Sequence, residues 1–143
     1  MKPTSAKGLA RRIASDCLAV RVRRLGRVVT RIYDAALAPH GVSIAQYNLL
    51  AAIGAVEGAN RVRLGRVLDV EKSTLSRDLK RMEQLGWIRS APGRGGAISI
   101  APAGARLLLE ARPAWEKAQR AALSQLGRDA FGQLRQLLPP PGA

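Results

Sequence analysis

The first quarter of the chain contains a long stretch without proline, from about Leu9 to Leu37, in which apolar residues recur with a helical period. Successive apolar positions are four and three residues apart, as in a helix that packs along another long helix. The Pro39-His40-Gly41 segment ends the pattern. We therefore expect one long helix, whose partner lies in the same chain or in a second subunit. The apolar seam consists of Leu18, Val22, Leu25, Val29, Ile32 and Ala36.

Two short helices are predicted next. Ser43, followed three residues later by Gln46, fits a capping box that starts a helix running to about Ile53. After a glycine-containing loop, residues 61–68 carry the spacing of a second short helix. A turn of polar residues then leads to Ser73, which is a suitable N-cap for a further helix.

The helix predicted from Ser73 to Leu85 has a clear apolar stripe and a polar outer face. Gly86 suits the position that follows a helix, and Trp87 can fold back on the preceding turn in a Schellman motif. Because one side of the helix is apolar, the opposite side is expected to face solvent. The stripe consists of Leu75, Leu79, Met82 and Leu85.

The residues after this helix change to the pattern of a small β-hairpin. Residues 87–90 and 97–100 read as two short strands, joined by a glycine-rich loop that carries Arg94. Helices over residues 103–126 and 128–138 complete the chain, the second with Phe131, Leu134 and Leu138 on one face. This order predicts a mainly α fold with a small β-hairpin, that of a winged helix-turn-helix.

In such a fold, residues 73–85 are the recognition helix. Small hydroxyl side chains at its start allow close approach to the major groove of DNA, where arginine can read guanine. Lysine and arginine further along bind phosphate, and an arginine at the hairpin tip can enter the minor groove. The expected DNA-binding residues are Ser73, Thr74, Ser76, Arg77, Lys80, Arg81 and Arg94.

These residues resemble a known family. Leu64-Gly65-Arg66-Val67-Leu68-Asp69-Val70-Glu71-Lys72-Ser73-Thr74-Leu75-Ser76-Arg77 and Arg81-Met82-Glu83-Gln84-Leu85-Gly86-Trp87-Ile88 are similar to the helix-turn-helix of MarR-type transcriptional regulators. The resemblance extends over nearly the whole chain. Pro92 stands where the family's wing has an acidic residue, whereas Arg94 and Gly104 match the family.

The resemblance implies a homodimer and a division of labour within one domain, residues 1–143. The terminal helices, residues 10–38 and 102–138, would form the dimer, and residues 43–100 would bind DNA. Two winged regions would then read a pseudo-palindromic operator. The expected function is that of a sequence-specific DNA-binding transcriptional regulator, a homodimeric repressor released by a small ligand or oxidant and located in the cytoplasm.

Composition supports a polyanionic partner and argues against other classes. With 24 Lys and Arg against 10 Asp and Glu, the formal net charge is +14, which favours nucleic acid or an anionic membrane surface. One cysteine and one histidine leave no plausible metal cluster or histidine-based catalytic triad. We therefore expect no enzyme, cofactor or metal, and no membrane association, since the apolar runs are short.

Several alternatives stay open. Cys17 is either a redox sensor or, as is more usual for a lone helical cysteine, a small packed side chain. Tyr33 and Trp115 either line a pocket for an effector, aromatic or anionic, or belong to the helix interface. For the whole protein, the alternatives are a non-specific architectural DNA-binding protein and a protein-interaction module with a degenerate winged helix.

Overall fold

A computed structural model describes residues 5–139 as a helical chain with one two-stranded antiparallel hairpin. The mainly α fold class with a winged helix-turn-helix is thereby confirmed. Seven α-helices, one short 3-10 helix (Ala38–His40, between α2 and α3) and two strands follow one another within the described residues: α1 (Ala6–Asp16), α2 (Leu18–Leu37), α3 (Ile44–Ala55), α4 (Arg61–Leu68), α5 (Lys72–Gln84), β1 (Ile88–Ser90), β2 (Ile98–Ile100), α6 (Pro102–Leu126) and α7 (Arg128–Leu137).

The single long helix expected from Leu9 to Leu37 is wrong, because the chain breaks at Cys17. Cys17 has an extended backbone, with φ −66° and ψ 117°. The guanidinium of Arg21 reaches back across the break and donates two hydrogen bonds to the carbonyl of Ser15, at 3.1 Å and 2.5 Å. These bonds satisfy a carbonyl that a continuous helix would pair with its own backbone.

Helices α3 and α4 start where the sequence predicts. The capping box of Ser43 and Gln46 is formed in both directions, and Asn60 caps α4 by accepting the N–H of Arg63 at 2.9 Å. The core lies between these helices, α5, the hairpin and α6. Its most deeply buried large side chains are Leu37, Leu50, Leu64, Leu79, Met82 and Ile88.

Helix α5 begins before the predicted cap and ends as predicted. Its N-cap is Glu71, so Ser73 lies inside the first turn and caps nothing. Asp69, in the left-handed region at φ 49°, turns the chain between α4 and α5 early enough for this start. At the other end, Trp87 N–H bonds to the Met82 carbonyl and Gly86 N–H to that of Glu83, which is the predicted Schellman motif. Leu85, expected to face inward, is 38% exposed, because it follows the last helical residue.

The hairpin connects the helix-turn-helix to α6. Its register pairs Ile88 with Ile100, and both strands direct an isoleucine into the core. Ile98 N–H also bonds to the carbonyl of Ala59 at 2.8 Å, which joins the hairpin to the loop before α4. Helix α6 then packs along α2 and α3.

An extended apolar surface remains on the terminal helices. In α2, the seam residues Leu18, Val22 and Leu25 are 73%, 58% and 40% exposed. Leu138, expected on the inner face of the last helix, lies beyond the end of α7 and is exposed. The main packing partner of α7 is α6, and no other element within the described residues makes comparably extensive contact with it.

Candidate nucleic-acid interface

The outward face of α5 carries the residues that the sequence assigned to DNA binding. The apolar stripe of α5 is buried against the core, so the other side of the helix is open to solvent. Ser73, Arg77, Lys80 and Arg81 are exposed, and Thr74 and Ser76 are half-buried at its edge. The arrangement presents small hydroxyl groups near the start of the helix and three accessible cations further along it.

Helix α4 contributes a residue that the sequence left open, as either a phosphate contact or an ordinary surface charge. Arg61, the first residue of α4, donates a hydrogen bond from Nη1 to Oγ of Ser76 on α5 at 3.2 Å. The bond connects the two helices of the helix-turn-helix on their exposed side. Only the packing of α4 on α5 brings residues 15 apart in sequence together, so no local pattern could have identified the pair.

The loop of the hairpin is shaped by glycines and carries Arg94 at its exposed tip. Gly93 and Gly95 have positive φ angles of 98° and 73°. A Cβ on Gly96 would lie 2.1 Å from the carbonyl oxygen of Ala91, so no larger residue fits there without a shift of the loop backbone. The loop is also closed by a hydrogen bond from the Ala91 N–H to the Ala97 carbonyl at 2.8 Å.

A groove of about 680 Å³ separates the wing from the helix-turn-helix. Three cationic side chains from three elements line it: Arg61 of α4, Lys72 of α5 and Arg94 of the wing loop. Ser90, at the end of β1, also lines the groove. Its N–H donates to Oε1 of Glu83 at 3.2 Å and so links β1 to α5. The recognition helix, the groove and the wing therefore form one continuous basic surface, which we call the basic groove surface.

The other predicted site residues lie elsewhere. Cys17 is half-buried at the break between α1 and α2. The Tyr33 hydroxyl bonds to the side-chain carbonyl of Gln119 on α6, and burial raises the pKa of Tyr33 above its ordinary value. Trp115 is half-buried against the core. The structure thus places Tyr33 and Trp115 within or beside the packing of α6.

A cleft between α2 and α6 is found close to these residues. It has a volume of about 540 Å³ and is lined mainly by small apolar side chains of both helices, with Pro39, His40 and Lys117 at its polar edge. Neither Tyr33 nor Trp115 lines it. Ile32 and Ala36, which flank Tyr33 along α2, do so instead.

A helix-turn-helix followed by a two-stranded wing, with cations on both, defines a winged helix-turn-helix protein. A sequence model of the MarR family matches residues 40–97. This segment of the chain is therefore similar to the MarR family, which confirms the resemblance noted in the sequence. No curated protein matches the chain at a significant level.

Solved structures of similar proteins cover most of the chain. The transcriptional regulator MosR of M. tuberculosis is 29% identical, with a TM-score of 0.75 over 87% of this chain and 96% of that one. A mutant MarR of E. coli complexed with operator DNA is 21% identical, with a TM-score of 0.75 over 89% and 94% of the two chains. CouR of Rhodococcus jostii RHA1, bound to p-coumaroyl-CoA, is 22% identical, with a TM-score of 0.73 over 87% and 90%.

Proposed function

We propose that this protein is a sequence-specific DNA-binding transcriptional regulator, which acts as a homodimer on a pseudo-palindromic operator and represses transcription. The observation that carries the proposal is the basic groove surface, where the exposed face of α5 and the Arg94 loop lie on either side of a cation-lined groove. A regulator of this kind works where the chromosome is, in the cytoplasm. The operator-bound MarR structure, similar in fold, supports the same use of the surface.

The parts of this surface suit different parts of DNA. Helix α5 enters the major groove, with Arg77 the best-placed residue to read a base and Lys80 and Arg81 nearer the backbone. The wing places Arg94 in the adjacent minor groove. The DNA backbone between the two grooves then passes through the groove lined by Arg61 and Lys72, whose charges bind phosphate without regard to sequence.

The terminal helices are the proposed dimer interface. The exposed seam of α2 is a stripe of large apolar side chains that a single copy leaves in water, and stripes of this kind mark sites of protein contact. A two-fold arrangement through α1, α2, α6 and α7 would set two recognition helices about one helical turn of DNA apart, roughly 34 Å.

Release by a small molecule or an oxidant is the regulatory part of the proposal. The cleft lies between α2 and α6, two of the proposed dimer helices, so a ligand there could change the spacing of the two reading heads. Lys117 and His40 at its edge suit an anionic or aromatic ligand. In the oxidant version Cys17, the only cysteine of the chain, is the sensor, and replacing it with serine would abolish release by peroxide.

The decisive experiment selects bound DNA from a random pool and measures the affinity of the selected duplex against an unrelated one. We expect Arg77→Ala to lower affinity for the selected duplex by about ten- to hundredfold, as the loss of one bidentate base contact does. Affinity for the unrelated duplex should fall far less. Equal losses on both duplexes would make Arg77 a phosphate contact.

The same experiment separates the two other classes. A non-specific architectural protein would yield no enriched sequence, although its affinity would fall steeply with salt. A protein-interaction module with a degenerate winged helix would lose DNA altogether at physiological salt. Enrichment of a pseudo-palindrome excludes both.

A further inference from the structure

Helix α2 carries four arginines on the side opposite its apolar seam. At 3.6 residues per turn they fall within a sector of about 100°, and all four are exposed. No acidic residue lies between the first and the last of them. We call this surface the α2 arginine face; it consists of Arg23, Arg24, Arg27 and Arg31.

These charges are not neutralised within the described part of the chain. The one ion pair found among residues 5–139 joins Arg112 to Glu116 on α6. Asp34, the nearest acid further along α2, accepts the Ile44 N–H at 2.7 Å and so caps α3. The neighbouring Arg21 is occupied by the Ser15 carbonyl at the helix break. The α2 arginine face therefore presents four free guanidinium groups.

Their spacing places like charges next to one another on the helix. Arg23 and Arg27, and Arg27 and Arg31, are four residues apart, and Arg24 is three residues before Arg27. Like charges at these spacings destabilise a helix. An anionic ligand along the face would remove this repulsion.

The shape and charge density of the face favour a linear polyphosphate. Its four charges extend over about 12 Å of helix, with an average spacing of about 4 Å between neighbouring charges, similar to the spacing of one phosphate per roughly 3.4 Å along a DNA strand. A small anion would need an enclosing pocket, whereas these side chains lie on a convex helix surface. Guanidinium groups also match phosphate geometry well.

The α2 arginine face is separate from the basic groove surface. Helix α2 packs mainly on α6 and α3, whereas α5 packs mainly on α4 and β1. A dimer formed through the seam would also leave the face open, because the two lie on opposite sides of α2. A straight duplex in the reading heads would therefore leave these arginines available.

We propose that the α2 arginine face binds the backbone of a second DNA duplex, so that the protein bridges two DNA segments. This proposal rests on the proposed function only for the operator duplex, which binds the basic groove surface. The second duplex binds the α2 arginine face through its phosphates, without regard to sequence. Its affinity should fall with salt, with a slope of roughly one for each phosphate contacted.

The test mixes the protein with a selected operator duplex and an unrelated duplex of about 24 base pairs, each with its own dye, and measures co-sedimentation at low salt. We expect wild-type complexes to contain both dyes. The variant Arg23→Gln/Arg24→Gln/Arg27→Gln/Arg31→Gln should co-sediment at least fivefold less of the unrelated duplex than wild type does. Its affinity for the operator should stay within twofold of the wild-type value. Its matched control, Arg106→Gln/Arg120→Gln/Arg128→Gln/Arg135→Gln, removes four exposed charges from α6 and α7 and should retain both duplexes.

Wild-type complexes that hold the operator alone would overturn the proposal, as would a four-glutamine variant that still holds the unrelated duplex. Vesicles containing phosphatidylglycerol and poly-glutamate serve as competitors. If either displaces the unrelated duplex at equal charge concentration, the face has no preference for DNA and the proposal fails. If wild type binds no selected operator, the proposed function fails. The α2 arginine face is then tested by comparing how much unrelated duplex co-sediments with wild type and with the four-glutamine variant.

Discussion

At the residue scale, one glycine controls how closely α6 approaches the wing. A Cβ on Gly104 would lie 2.2 Å from the carbonyl oxygen of Trp87 and 3.1 Å from Cγ2 of Ile100. That same carbonyl accepts the N–H of Ala101 at 2.9 Å, so it cannot move away without losing a hydrogen bond. The absence of a side chain at position 104 thus allows α6 to begin directly against β1.

Gly104→Ala should therefore destabilise the protein by about 2–3 kcal/mol, the upper part of the range for overpacked sites. Gly132→Ala is the matched control, since a Cβ on this glycine of α7 meets nothing within 4 Å; it should stabilise by about 0.5–1 kcal/mol through helix propensity. Urea unfolding measures both. Similar changes for the two variants would mean that α6 can shift freely.

The stability of the protein at alkaline pH depends in part on Tyr47. It is buried, and its hydroxyl donates to the carbonyl of Leu108 at 2.8 Å, joining α3 to α6. Burial raises the pKa of Tyr47; Arg112 partly lowers it and Glu116 adds to the rise. Because the folded pKa lies above the unfolded one, stability is complete at neutral pH and is lost as pH rises through the folded pKa.

Tyr47→Phe should cost about 1 kcal/mol at pH 7, the worth of a typical hydrogen bond. It should also reduce the loss of stability above about pH 10, where tyrosine ionises. Urea unfolding between pH 8 and pH 11 compares the two proteins. Tyr33, whose pKa is also raised, remains in both and accounts for residual alkaline loss. Parallel pH curves would contradict this role of Tyr47.

At the scale of elements, the wing is a rigid support for one charge. Its two strands are held by the paired isoleucines, by the bond from Ile98 to Ala59 and by the bond from Ser90, at the end of β1, to Glu83. The glycine loop between them exposes Arg94 and little else of functional interest. The Arg94 side chain can therefore be replaced without altering the packing of the core.

Arg94→Ala should weaken operator binding by about tenfold and leave both the dimer and the unfolding midpoint unchanged, because the side chain is exposed and loses only a DNA contact. Fluorescence anisotropy measures operator affinity, light scattering measures the oligomeric state, and urea unfolding gives the midpoint. Arg135→Ala, which removes an exposed arginine from α7, controls for the loss of one charge. Unchanged operator affinity would remove the wing from the proposed interface.

At the scale of the whole molecule, the N-terminal helices have opposite faces with different partners. The seam of α2 is apolar and exposed, and the α2 arginine face is cationic and exposed. In the described residues no helix is long and apolar enough to cross a membrane. In the proposed function the seam contacts a second copy of the chain, and in the further inference the α2 arginine face contacts DNA, so operator binding would require the dimer.

Leu25→Glu should convert the dimer to monomer and lower operator affinity at least tenfold, because a buried carboxylate without a partner is strongly unfavourable in an apolar interface. Leu109→Glu is the control; Leu109 is equally apolar and 71% exposed, but lies beside β2 and the start of α6. Light scattering measures the oligomeric state of the two variants, and anisotropy measures their operator affinity. A dimeric Leu25→Glu protein would show that the seam is not the interface.

The features that were predictable from sequence are those set by nearby residues. The capping box at Ser43 and the Schellman motif at Gly86 involve neighbours within five residues, and both form as predicted. The apolar stripe of α5 was right apart from Leu85, which falls just past the helix end. Ser73 failed as a cap because the turn at Asp69 lets α5 start earlier.

The features that were missed depend on contacts that the sequence pattern does not encode. The stretch from Leu9 to Leu37 has no proline to break a helix, yet Arg21 stabilises a break at Cys17 by binding Ser15. From the sequence Arg61 could equally be a phosphate contact or an ordinary surface charge, and its place beside Ser76 and Arg94 exists only once α4, α5 and the wing have packed. The net charge of +14 indicated a polyanion but not a surface.

The sequence by itself determined the order of elements, the recognition helix and the family resemblance, because periodicity, caps and turn residues act over a few positions. Only the tertiary structure decided which cations share a surface. It placed Arg61, Lys72 and Arg94 around one groove and left the arginines of α2 on a face of their own. Side-chain proximity across elements depends on how the helices pack around a common core, and that packing is a property of the whole chain.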